Sequence, residues 1–111
     1  MTDIKIFKSN DIYTRITVSG HAGYAEEGED IVCAGISVLT INLVNSLEQL
    51  SEDAFSVIED EDNGLIDIKL SYEDDEEPDY PTEILVSSYI IGIEYLFENY
   101  SDYLSLEIKE V

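Results

Sequence analysis

Two hydrophobic periods alternate along the chain, and their order limits which folds are open to it. Ile4 and Ile6 flank Lys5, and Ile12, Thr14, Ile16 and Val18 alternate with Tyr13, Arg15 and Thr17. Alternation of period two puts every second side chain on one face of a strand. Strands are predicted over 4–8 and 12–18, joined as a hairpin through Ser9-Asn10-Asp11. From Ile31 to Leu50 the apolar residues recur at spacings of three and four, which predicts a helix, with Asp30 placed to cap it. Period two returns around Phe55 and Val57 and again over Ile66, Ile68, Leu70 and Tyr72, with Asn63-Gly64 as a hairpin turn. A second helix is predicted from Thr82 to Tyr100, with Pro81 in its first turn. Its expected apolar face is Ile84, Leu85, Tyr89, Ile93, Leu96 and Phe97, widened by Val86, Ile90 and Ile91. Leu104, Leu106 and Ile108 alternate in a last strand.

The order is ββαββαβ. Half-apolar strands and amphipathic helices bury their faces by stacking in two layers. The expected fold class is α+β: a five-stranded mixed or antiparallel sheet with both helices on one face, in a single domain over 1–111. Both helices carry more apolar surface than one sheet face needs, which points to a homodimer.

Composition narrows the function. The chain has 26 acidic and 5 basic residues, a net charge of −21. Such a surface repels nucleic acid and anionic lipid and attracts a basic partner. The same charge also serves solubility alone. One cysteine makes no internal disulfide, and the start MTDIKIFKSN lacks a signal-peptide pattern; both favour a cytoplasmic protein. The stretch Ile31–Leu50 carries seven polar residues, which makes it a poor membrane span. No cofactor fingerprint is present. A zinc site wants four N or S ligands, and the chain has one histidine and one cysteine. The acidic run EDDEEPD lacks the ordered alternation of a calcium loop.

That single histidine and single cysteine fall in one glycine-punctuated window, GHAGYAEEGEDIVCAG, residues 20–35. His21 stands just past the second strand. Cys33 is expected at about the third helical position. A first helical turn offers unpaired N–H groups and the positive dipole end, where a thiol ionises more easily and an oxyanion is stabilised. An adjacent imidazole completes the needs of a cysteine hydrolase. Glu26, Glu27, Glu29 and Asp30 oppose thiolate formation. The residues alone leave two readings open. One is a catalytic Cys33–His21 dyad; the other is a small buried cysteine and a surface histidine in a non-catalytic acidic binding module for a basic protein.

Gly20-His21-Ala22-Gly23, Gly28, Asp30-Ile31-Val32-Cys33-Ala34 and Ser37 closely resemble the signature of the ribosomal-processing cysteine proteases called Prp. The length and element order are similar as well. The resemblance implies a homodimeric cysteine endopeptidase. It would remove a short N-terminal extension from the bacterial large-subunit ribosomal protein numbered twenty-seven. Carried over by position, Cys33 would be the nucleophile and His21 the general base. Asp30 would cap the helix and orient the histidine, Ser37 would support the site, and Gly20, Gly23 and Gly28 would let the intervening loop move. The strong acidity would speed the meeting with a basic ribosomal protein.

Overall fold

A computed structural model describes residues 1–20, 27–60, 64–71 and 78–111, the side chains of 27–30 excepted. The elements follow the expected order: β1 (Thr2–Ser9), β2 (Ile12–Ser19), α1 (Glu27–Leu50), β3 (Ala54–Asp60), β4 (Leu65–Ser71), α2 (Tyr80–Tyr100) and β5 (Leu104–Glu110). The β1–β2 turn is tight because Asn10 and Asp11 both take positive φ, 50° and 67°, which these two residue types tolerate better than most.

The sheet runs β3-β4-β2-β1-β5. β1 and β5 are parallel, and the other neighbours are antiparallel. The sheet is therefore mixed. α2 carries the chain from β4 to the far edge, where β5 lies beside β1. Thr2, Ile4 and Ile6 of β1 are buried while Asp3 and Lys5 are exposed, so one sheet face is covered and the other is open. The covered face contributes Ile4, Ile6, Ile16, Val18, Ile68, Leu70 and Leu104 to the core. Against it pack Val32, Ile36, Leu43 and Leu47 of α1 and Val86, Tyr89, Ile90 and Ile93 of α2. The helices also touch each other. A methyl at Gly92 would stand 3.2 Å from the Leu39 side chain, so the small residue sets their approach. Between them Thr40 donates to the Ile36 carbonyl at 2.7 Å, leaving its oxygen to accept from the Tyr89 hydroxyl at 3.0 Å. Burial pushes the Tyr89 hydroxyl up to about 12.

Three expectations are corrected. α1 begins at Glu27, so Asp30 and Gly28 lie inside the helix, and Asp30 is not its N-cap. A first turn of sequence EGED has no apolar residue for periodicity to detect, yet acidic residues suit a helix start. Second, the buried stripe of α2 is Thr82, Val86, Tyr89, Ile90 and Ile93. Ile84, Ile91 and Phe97 are exposed. Apolar residues lie nearly all around this helix, so spacing alone does not set its phase. Third, Ile31–Leu50 is long and apolar enough to cross a bilayer by length and composition, though in this fold one of its faces packs on the sheet.

α2 starts two residues earlier than its apolar pattern because Asp79 caps it. The Asp79 carboxylate accepts from the Thr82 amide at 2.8 Å and the Thr82 hydroxyl at 2.6 Å. It also accepts from the Glu52 amide at 2.7 Å, tying α2 to the segment after α1. The Thr82 hydroxyl and these amides hold its carboxyl down to about 2.

Candidate active site

The register of α1 decides where the thiol goes. Val32 and Ile36 point into the core, and Cys33 and Ser37, one turn apart, line a cleft beside it. The start of β1, the end of β2 and the β3–β4 end supply the other walls through Thr2, Val18, Gly20, Glu59, Asp60, Gly64, Leu65 and Ile66. The cleft has a volume of about 350 Å³. Cys33 is a free, half-buried cysteine and Ser37 is exposed.

Thr2 is buried at the start of β1, its amide donating to the Tyr103 carbonyl at 3.1 Å. That anchor sets its hydroxyl 3.5 Å from the Cys33 sulfur. Continuing the β1 alternation back from Ile6 and Ile4 puts Thr2 on the covered face, so its orientation was readable. Its meeting with Cys33 was not.

Gly20 has φ +112°, and an added Cβ there would collide with the Met1 carbonyl oxygen and lie 3.0 Å from the Thr2 Cα. Glycine is needed here for close backbone passage as well as for the torsion. The chain thus reaches the cleft at Gly20, directly before His21.

Because α1 begins at Glu27, Cys33 is its seventh residue and lies in the second turn. The expectation of a first-turn cysteine facing unpaired amides is overturned. Amides this far into a helix are bonded to carbonyls of the preceding turn. The structure brings Cys33, Ser37 and Gly20 to one cleft. His21 and Gly23 lie outside the described residues. Asp30 is placed only as a backbone position of α1. Among the described residues, no three His, Cys, Asp or Glu side chains are grouped to hold a metal ion.

Arg15 and Asp67 form a bidentate pair at 2.9 and 2.7 Å on the open sheet face, with Arg15 over the Phe7 ring at 5.4 Å. The hydrogen bonds from Arg15 hold the Asp67 carboxyl below the usual carboxylate range. This pair belongs to the sheet and lies away from the cleft.

A family model described as cysteine protease Prp matches residues 1–105. The chain belongs to this family. The ribosomal processing cysteine protease Prp of Bacillus subtilis is 30% identical over 89 residues, covering 78% of each chain. A Streptococcus mutans crystal structure matches with a TM-score of 0.89 at 34% identity, over 100% of this chain and 99% of that one. The Staphylococcus aureus ribosomal processing protease Prp, solved with a covalently linked product peptide, matches with a TM-score of 0.80. It is 25% identical, over 98% of this chain and 100% of that one. The Prp family is one of cysteine proteases, and the chain is a protease whose single cysteine, Cys33, lines the 350 Å³ cleft.

Proposed function

We propose that this Prp protein removes a short N-terminal extension from a basic large-subunit ribosomal protein, with Cys33 as nucleophile and His21 as general base. The observation that carries the reading is the placement of the chain's lone thiol in the wall of the 350 Å³ cleft, half-buried rather than packed in the core. Gly20, which lines the same cleft, directly precedes His21 in the sequence. In the reaction, His21 takes the thiol proton and sulfur bonds to the scissile carbonyl carbon. The C–N bond breaks as His21 returns the proton to the leaving amine. Water then adds to the thioester, releasing the carboxylic acid and restoring the thiol. Thr2 is placed to donate its hydroxyl proton toward the sulfur as charge develops there. Ser37 supports the cleft wall one turn along, and Asp30 orients the histidine.

The protein works in the cytoplasm as a homodimer without direct nucleic-acid or membrane contact. Exposed Ile31, Val38, Ile41, Ile84, Ile91 and Tyr95 on the helices support self-association. The net charge of −21 favours a second reading, an acidic module that only binds a basic protein. Cys33→Ala and His21→Ala separate the two. Cleavage of the precursor followed by mass spectrometry should stop in both variants, while precursor binding persists. Undiminished processing by Cys33→Ala would sink the nucleophile assignment.

A further inference from the structure

The thiol cleft does not end at Ser37. A smaller hollow of about 70 Å³ continues it along α1, lined by Thr40, Ile41, Val44, Asn45, Glu59 and Ile66. Glu59 and Ile66 are common to both. They are direct partners in the β3–β4 ladder, so one rung forms the wall where the hollows meet. From Cys33 to Asn45 the helix rises roughly 18 Å, the length of about five extended residues. The groove therefore has the dimensions of a short extended peptide. Its lining mixes apolar and polar side chains, and Glu59 stands exposed at its middle, next in sequence to Asp60 of the thiol cleft.

Among the described residues, no Lys or Arg lines the groove beside this negative side chain. None of the five Lys and Arg residues lines either hollow. Arg15, Lys8 and Lys109 are engaged by Asp67, Glu110 and Glu107 elsewhere. A cation carried by the substrate would meet no competing Lys or Arg among the described lining residues. Thr40 and Ile41, on the far side of the junction, lie seven and eight residues past Cys33, and Ser37 lies four past it. Glu59 is thus roughly 6–12 Å along the groove from the sulfur, about two to four residues of extended peptide.

We propose that Glu59 is a specificity-determining residue that selects a lysine or arginine about two to four residues from the scissile bond. The proposal rests on Cys33 being the nucleophile. The experiment is a series of ten-residue peptides sharing one cleavable sequence. Lysine or its uncharged isostere norleucine is placed at each successive position on either side of the cleaved bond. For the wild type, lysine should be preferred at one position within the stated range. Glu59→Lys should lower kcat/KM for that lysine peptide about tenfold at low salt, and Glu59→Gln about two- to fivefold. The norleucine peptide should change less than twofold with either variant. Glu98→Lys, on exposed α2 surface outside the groove, alters net charge equally and should leave the preference intact. A wild type that cleaves the series without any lysine preference would overturn the proposal. So would equal losses for both peptides in Glu59→Lys, or the same effect from Glu98→Lys. A wild type that cleaves no peptide of the series would strike at the Cys33 reading, and the proposal would fall with it.

Discussion

Gly20→Ala tests whether the glycine before His21 is a hinge or a fixed point of the fold. Its φ of +112° lies where L side chains are strained, at a cost of about 1–3 kcal/mol. The new methyl would also overlap the Met1 carbonyl oxygen and press on the Thr2 Cα at 3.0 Å. Relief requires the start of β1 to shift, at a further cost of about 1–3 kcal/mol, as for other overpacked sites. Alanine restricts the unfolded chain more than glycine, which offsets about 0.4–1 kcal/mol. The expected net loss is about 1–6 kcal/mol. For a chain of this length, about 4 °C per kcal/mol translates this to roughly 4–24 °C in Tm. The displaced strand end also carries the Thr2 hydroxyl away from Cys33, so cleavage by the folded fraction should fall. Urea denaturation followed by circular dichroism gives the stability, and peptide cleavage below the transition gives the activity. A hinge role predicts the opposite pattern, an unchanged urea midpoint with slowed turnover, and that result would refute the reasoning.

Asp79→Ala should cost about 1–2 kcal/mol in urea denaturation, since it removes both the α2 cap and the link to Glu52. The Asp79 carboxyl is lowered from 3.8 to about 2 in the fold, so its ionised form stabilises the protein above about pH 4, and this is lost as pH falls through about 2. The stability gap between wild type and Asp79→Asn should accordingly stay level from about pH 7 to 5 and narrow between about 4 and 2. Arg15→Ala should cost about 1–3 kcal/mol, because it strips two hydrogen bonds from an Asp67 side chain that is only 9% exposed. The double variant Arg15→Ala/Asp67→Ala should lose less than the sum of the two singles; strict additivity would contradict the pairing.

Much of the fold was legible because its signals are local. Period two marked all five strands, and a turn of Asn and Asp announced the first hairpin. Where local signals are missing or saturated, the reading failed. The first turn of α1 contains no apolar residue to mark it, and α2 is apolar almost all round, so its expected buried face was drawn too wide, taking in the exposed Ile84, Ile91 and Phe97. Asp79 was passed over as a cap because it closes an acidic run that reads as solvated loop. The window around His21 and Cys33 stood out by residue type and by its resemblance to Prp signatures. Thr2, Glu59, Asp60 and Ile66 carried no comparable mark as cleft residues, since each is ordinary in its own strand.

By itself the sequence determined the element order, the class of fold and the family, because periodicity, turn chemistry and a contiguous motif are properties of neighbouring residues. Only the tertiary structure decided that the ends of four strands gather around Cys33, and that the thiol sits in the second turn of α1. It also decided that a glutamate from the sheet edge stands in the groove beyond. Those facts depend on the phase of each helix and the register of each strand, which packing of the whole core sets and no single segment encodes.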